Sequence, residues 1–159
     1  MDKTVLVTGG AGFIGSHLIE RLLSQGYQVV SLDNFNSSYP PAFKWQNIQP
    51  LLSHPAFTLV QGDIRDRSLL SNLFSRYSFQ AVVHLAGLAG VRPSVEEPHL
   101  YQEVNILGTL NLLEESRNKV DRFVFASSSS VYGNNPCHPL REDMLPSPVS
   151  PYGASKAGA

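Results

Sequence analysis

Tyr152 and Lys156 stand four residues apart, just after Ser150-Pro151. A spacing of four puts two side chains on one face of a helix, and Ser then Pro is the residue pair of an N-cap and a first helical position. A free tyrosine, with a pKa near ~10, is a poor base at neutral pH. A neighbouring ammonium stabilises the phenolate and lets it take a proton from a hydroxyl group. Upstream, Ser127-Ser128-Ser129-Ser130 lies between Phe123-Val124-Phe125 and Val131-Tyr132-Gly133. Such a run could be a flexible linker, but its apolar flanks place the hydroxyls at the carboxyl end of a strand, where ligands bind in open α/β sheets.

A second set of residues suits a nucleotide. Gly9, Gly12 and Gly15 form G-x-x-G-x-x-G between an apolar strand and an apolar helix. Glycine is needed there for a tight turn, for backbone approach to a pyrophosphate, and for close packing of helix on strand. The helix start then offers free N–H groups and a positive dipole end to phosphate. Asp33 follows Gly15 by 18 residues, at the end of the second strand. A carboxylate there accepts from both adenosine ribose hydroxyls and repels a 2′-phosphate, and the next residue is Asn34 rather than arginine, so NAD is expected over NADP. Asp63 and Ile64 sit where adenine could meet a carboxylate and an apolar side chain; Gly62-Asp63 is equally ordinary turn chemistry. Arg92 could pair with a substrate carboxylate or phosphate, and a surface arginine fits as well.

These residues need elements to hold them. Thr4–Thr8 reads as a buried strand, and Phe13 to Gln25 as a helix with its stripe at Ile14, Leu18 and Leu22, with Ile19 and Leu23 beside them. Gly26 suits the left-handed residue that ends a helix. Strands are expected at 27–32, 57–60, 81–86 and 122–126. Pro41 could open a short helix through Trp45 and Ile48, and Asp66 can cap one carrying Leu69, Leu70, Leu73 and Phe74. A long helix is expected from about Pro98 to Arg117. Five of the eleven prolines fall between 136 and 151, so that stretch should be irregular. Strands alternating with helices imply right-handed crossovers and a parallel sheet: an α/β, Rossmann-like doubly wound fold, ending after the fifth strand and the start of the next helix. That last helix is short and contains Gly153 and Gly158, so by itself it should fray.

Composition narrows the classes. The chain has 159 residues, 42% apolar and only 16% charged, which is the profile of about one globular domain. Lys and Arg number 12 against 13 Asp and Glu, with no basic cluster, so no nucleic-acid partner is expected. Cys137 is the single cysteine and can form no internal disulfide, as in a reducing compartment. No run is long enough to span a membrane, and Met1-Asp2-Lys3-Thr4 lacks the pattern of a signal peptide; a cytoplasmic protein is expected. His17, His54, His84, His99 and His138 are scattered, so no metal site is expected, and His84 reads as a core residue.

The segments TGGAGFIGSHL (8 to 18), LDNFNSSY (32 to 39), GDIRD (62 to 66), VVHLAGLAGVRPS (82 to 94), VNILGTLNLLE (104 to 114), FVFASSSSVYG (123 to 133) and SPYGASK (150 to 156) together cover much of the chain. In them the sequence resembles the N-terminal half of the extended short-chain dehydrogenase/reductases, in the NAD-dependent sugar-nucleotide epimerase/dehydratase family. Within it the combination of DNFN, AGVRPS and ASSSSVYG is most similar to UDP-glucuronate 4-epimerases, with UDP-glucose 4-epimerases close behind. The resemblance implies that residues 1–159 are an incomplete NAD-binding domain, lacking the C-terminal domain that binds the sugar. It implies Ser128 as the hydroxyl that holds O4 of a UDP-sugar, Tyr152 as base and Lys156 as its partner. Gly9, Gly12, Phe13, Ile14 and Gly15 would line the pyrophosphate, Asp33 and Asn34 the ribose, and Asp63 and Ile64 the adenine. Leu85, Ala86, Gly87 and Asn105 would border the cofactor, which Tyr152 and Lys156 also touch. Ser129 and Ser130, with Arg92 and Ser128, would face the substrate. Relatives often carry alanine at the Gly87 position, a departure that should leave NAD binding intact. The implied reaction is epimerisation at C4 through a 4-keto sugar, with no net redox. The 4,6-dehydratase relatives carry an acidic pair where this chain has Ser129 and Ser130, which cannot serve as acid and base at neutral pH. A non-catalytic NAD-binding fragment is the rival reading. A homodimer is implied for the full-length form, consistent with the wide apolar arc of Leu100, Val104, Ile106, Leu107, Leu110 and Leu113, although Glu103 and Glu114 interrupt it.

Overall fold

The computed structural model describes residues 3–159; Met1 and Asp2, with which the expected leader-free N-terminus begins, lie outside the described residues. These residues fall into two compact units, one running to Ala86 and resuming at Asn111–Ala126, the other comprising Gly87–Leu110 and Ser127–Ala159.

The first unit holds the sheet. Strands β1 (Thr4–Thr8), β2 (Gln28–Asp33), β3 (Phe57–Gln61), β4 (Ala81–His84) and β5 (Arg122–Phe125) pair in the order β3-β2-β1-β4-β5. Every pair is parallel. The order reverses beside β1, and such a switch point opens a crevice at the carboxyl ends of the strands. Thr8 is in register with Leu32 and His84, so the residues after β1, β2 and β4 emerge at that one end. All five residues of β1 are buried, as befits a central strand covered on both faces. Val5, Val7, Val29, Phe57 and Ile48 form its aliphatic core with Ile19 and Leu23 of α1 (Phe13–Ser24). Helix α2 (Pro41–Ile48) opens on its proline, and α3 (Arg67–Arg76) is capped by Asp66, which accepts from the Leu69 amide at 3.0 Å.

Three expectations shift. Helix α1 buries Gly15, Ser16, Ile19 and Leu23, the Ile19 and Leu23 side of the expected stripe, and leaves Ile14 exposed. Gly15 causes this: a Cβ there would stand 2.7 Å from Gly10 Cα, so the helix turns its bare face to the glycine turn. Strand β4 stops at His84 rather than Ala86, because the Ala86 amide bonds the Thr8 hydroxyl at 3.3 Å in place of a ladder partner. The expected long helix divides into α5 (Pro98–Tyr101), a π-turn over Gln102–Leu107, and α6 (Gly108–Ser116).

In the second unit the π-turn, α4 (Val91–Glu96) and a 3₁₀ turn over Ser129–Tyr132 accompany α7 (Pro151–Gly158). Helix α4 had no periodic signal and was not foreseen. Ser150 caps α7 as expected, accepting from the Gly153 amide at 3.0 Å. The helix is regular to Gly158 instead of frayed, with Gly153, Ser155 and Lys156 buried. Packing supplies what its length does not. Among the described residues no helix is long and apolar enough to cross a membrane.

Candidate functional site

In the first unit, the turn after β1 is shaped by backbone. Gly9 has φ +70°, and a Cβ on it would lie 2.7 Å from the Ala86 nitrogen. Only glycine allows both the left-handed conformation and that approach. The Gly9 amide bonds Leu32 O at 2.8 Å and the Gly12 amide bonds Gly9 O at 3.1 Å, which closes the turn. Helix α1 then starts without a side-chain cap. Its first-turn amides have no intrahelical acceptor, and Phe13 and Ile14 beside them are 74% and 67% exposed. An open helix N-terminus of this kind suits a pyrophosphate. Leu85 and Ala86 flank the same turn, half-buried.

Asp33 is buried at the end of β2. Its Oδ2 accepts from the Ala11 amide at 3.1 Å and its Oδ1 from the Phe35 amide at 2.8 Å. Phe35 takes a positive φ of 51° to deliver that amide. The carboxylate is thereby aimed before any ligand arrives, with acceptor capacity left on Oδ2. Asn34 donates to Asp63 Oδ2 at 2.9 Å. Asp63 also receives Arg65 Nε at 3.0 Å, an Arg65 terminal nitrogen at 2.9 Å and the Arg65 amide at 2.9 Å. The Arg65 guanidinium holds the Asp63 carboxyl at about 2, well below the usual carboxylate range, despite an opposing contribution from burial. Ile64 is buried, and its carbonyl accepts from Asn111 at 3.3 Å, so its side chain belongs to the core. His84 is a core residue as expected, bonded to the Thr8 hydroxyl at 2.7 Å, edge-on to Phe123 and tilted against Phe125.

Sequence reasoning missed two residues of this cradle. Lys44 turns inward from α2 to Asp33 Oδ1 at 3.3 Å, and Asn47, one turn on, bonds Ala11 O at 3.1 Å. The only sequence signal was a polar residue on the face of α2 that also carries Ile48.

In the second unit, α7 presents Tyr152 half-buried and Lys156 buried. Burial lowers the Lys156 pKa. A Cβ on Gly153 would lie 2.6 Å from Ser130 O, so glycine is what lets α7 press against the serine run. Ser128 caps the turn that follows it, accepting from the Ser130 amide at 3.2 Å, with Ser129 exposed and Ser130 half-buried. Asn105, 1% exposed in the π-turn, accepts from the Leu88 amide at 2.8 Å and donates to Leu88 O at 3.0 Å and Ser155 Oγ at 2.9 Å. Ser155 in turn donates to Tyr152 O at 2.8 Å. Thr109 bonds the Asn105 carbonyl at 2.5 Å, a back-bond that accompanies the widened turn. A Cβ on Gly87 would stand 3.0 Å from Asn105 Oδ1 and 3.2 Å from Lys156 Nζ, so Gly87, Asn105 and Lys156 converge. Tyr101 donates to Ala89 O at 2.7 Å and meets the Tyr152 ring edge-on at 6.2 Å. Tyr101 and Ser155 were invisible to spacing arguments, since neither belongs to a periodic motif. Arg92 stays outside the cluster: its side chain is 93% exposed, with Glu96 at 3.6 Å.

A base on a helix, a buried cation one turn away and hydroxyls beside them can move a proton on and off a substrate alcohol. The turn after β1, with Asp33, can hold a ribose and a pyrophosphate. Comparison with known proteins places the chain in a family. The family model described as GDP-mannose 4,6 dehydratase matches residues 6–159. The chain is 45% identical over 157 residues to UDP-glucuronate 4-epimerase of Thermodesulfobacterium geofontis, covering 97% of this chain and 48% of that protein. It is 47% identical over 161 residues to UDP-glucose 4-epimerase of Neisseria meningitidis serogroup B, covering 98% and 45%. The crystal structure of UDP-glucuronic acid 4-epimerase from Bacillus cereus, in complex with UDP-glucuronic acid and NAD, superposes with a TM-score of 0.90 at 41% identity, covering 98% of this chain and 49% of that one. The chain thus spans about half the length of the relatives it matches.

Proposed function

The chain belongs to the GDP-mannose 4,6 dehydratase family, and from that membership we propose that it is the NAD-binding portion of an enzyme that epimerises a UDP-sugar at C4. Residues 1–159 form the nucleotide-binding domain in this reading, and the part of the relatives beyond the match binds the sugar. Family membership does not bring the dehydratase reaction with it, because Ser129 and Ser130 offer no carboxyl group for eliminating water. Both UDP-glucuronate and UDP-glucose remain candidate substrates; the DNFN, AGVRPS and ASSSSVYG segments favour UDP-glucuronate.

Asp33 accepts from the adenosine ribose, with Asn34 beside it, while Gly9, Gly12, Phe13, Ile14 and Gly15 receive the pyrophosphate. Asp63 and Ile64 lie toward adenine, Ile64 through its backbone since its side chain is in the core. Leu85, Ala86, Gly87 and Asn105 border the rest of the dinucleotide. The chemistry that NAD would supply when held by these residues is acceptance of a hydride from C4 of the sugar and its return to the other face of the 4-keto sugar. The remaining work is proton handling. Ser128 holds O4, Tyr152 as phenolate accepts the 4-hydroxyl proton and later returns it, and Lys156 stabilises the phenolate and contacts the nicotinamide ribose. Ser129 and Ser130 line the sugar side. The exposed position of Arg92 weakens its claim to the substrate.

The observation that supports this most is the placing of Tyr152 and a buried Lys156 one turn apart on α7, a helix to which Asn105 bonds through Ser155. The test is an epimerase assay with UDP-glucuronate and UDP-glucose. The protein extended to the length of its relatives should convert one of them to its C4 epimer; the 159-residue chain should bind NAD weakly at best and show no turnover. Turnover by the 159 residues alone would refute the domain assignment, and failure of both to bind NAD would refute the reading as a whole. We further place the enzyme in the cytoplasm as a homodimer. Leu107, Leu110 and Leu113 are 48%, 49% and 40% exposed and supply the apolar face; strictly monomeric elution at high concentration would count against it.

A further inference from the structure

Helix α2 turns its one lysine inward. Lys44 and Asp33 have side chains only 7% and 4% exposed, with Nζ 3.3 Å from Oδ1. The same Nζ lies 3.0 Å from Asn36 Oδ1 and 5.3 Å from the centre of the Tyr39 ring. Asp33 takes its other bonds from the Ala11 and Phe35 amides. The residue that should mark the ribose with a negative charge is therefore neutralised by a cation shielded from water. An ammonium has three N–H donors, and Asp33 and Asn36 accept two of them.

Resting on the proposed dinucleotide site, we infer that Lys44 is a specificity-determining residue of that site. Its charge cancels the repulsion by which Asp33 alone would exclude a 2′-phosphate, and its third N–H is left for an oxygen of the adenosine ribose or of a phosphate on it. Preference for NAD over NADP then rests on fit rather than on charge. The order in which the elements occur makes this economical. Asn36 and Lys44 both follow Asp33 in the β2–α2 connection and helix, and Asn47 fastens the same helix to Ala11 in the glycine turn. One helix thus sets the charge at the ribose end and braces the turn beneath the phosphates.

The test titrates NAD and NADP separately into the full chain, by calorimetry and by the fluorescence of Trp45. That residue is the single tryptophan, and it stacks on Phe35 at 4.3 Å beside Asp33. In the unaltered protein NADP should bind within about thirtyfold of NAD, since a unit cation several ångströms from the phosphate offsets the carboxylate. Lys44→Met should weaken NADP at least tenfold more than NAD, and Lys44→Arg should restore the unaltered ratio. Equal weakening of both nucleotides by Lys44→Met would make Lys44 a merely structural brace and overturn the inference, as would no change in either. Should Lys44→Met fail to fold, the unaltered protein decides: NADP binding a thousandfold or more weaker than NAD overturns the inference. If neither nucleotide binds the unaltered protein, the dinucleotide reading falls and the inference with it; NAD binding with an unmoved ratio removes the inference alone.

Discussion

Around Gly9 the chain rests on strands and aliphatic side chains. Leu6, Val7, Ile19 and Val82 are wholly buried, and the turn is fixed by backbone bonds and by a conformation only glycine tolerates well. In the second unit polar groups, Ser94, Asn105, Ser155 and Lys156, are buried beside Tyr101, Val104 and Val131, and a side-chain bond from Asn105 to Ser155 reaches α7. The two regions therefore store their precision differently. A backbone cradle is insensitive to most side-chain changes but intolerant of a Cβ at the wrong place. A polar cluster is sensitive at each partner, because a buried donor or acceptor left unpaired costs more than the bond it made was worth. In the proposed reading fixed amides suffice for a pyrophosphate, whereas proton transfer requires Tyr152 and Lys156 to be placed through other side chains.

Substitutions can separate the two regions. In the protein extended to the length of its relatives, the proposed base predicts that Tyr152→Phe lowers turnover by about 10²–10⁴-fold, the usual weight of general base catalysis. NAD titration should show unchanged affinity, and a parallel loss would mean the regions are not separable. Gly9→Ala should act at the other end. It combines strain at φ +70° with a 2.7 Å contact, and should cost about 2–4 kcal/mol in urea unfolding. Asn105→Ala strands Leu88 N–H, Leu88 C=O and Ser155 Oγ, for about 2–3 kcal/mol. Hydrogen exchange should then quicken in α7 while the β1 and β2 amides keep their protection; uniform quickening would erase the contrast. Ser150→Ala removes the α7 cap and should cost about 1 kcal/mol, visible as a shift of the thermal midpoint.

The smallest effect is one of pH. Asp63 is depressed from 3.8 to about 2, chiefly by Arg65. A carboxyl group depressed in the folded state stabilises the fold above its ordinary pKa. Its contribution is therefore complete above about pH 4 and is lost as pH falls towards 2. The pair is partly exposed, so salt should diminish it. Carbon-detected titration of Asp63 should give a midpoint near the ordinary carboxylate value in Arg65→Ala; an unmoved midpoint would assign the depression to Asn34 instead.

Local sequence was sufficient wherever the controlling interaction is local. The alternation of strands and helices, the Asp66 and Ser150 caps, the proline opening α2 and the glycine turn after β1 all depend on residues within one or two turns of each other, so spacing alone revealed them. Asp33 was legible because it ends a strand at a fixed distance after that turn. Other features came only from the folded chain. The π-turn holds Asn105, whose side chain reaches Ser155, 50 positions on. Tyr101 acquires a role from Ala89 and Tyr152, and the early end of β4 comes from the Thr8 hydroxyl. Helix α7 is regular because its buried face finds partners that its own eight residues do not provide. Lys44 reads in sequence as one more solvated lysine, and packing of α2 carries it to Asp33. Sequence determined which residues could bind a nucleotide or move a proton. Which charges cancel, and which side chains hold the base in place, was decided by tertiary contacts, because pairing and burial are properties of neighbours that the chain brings together only on folding.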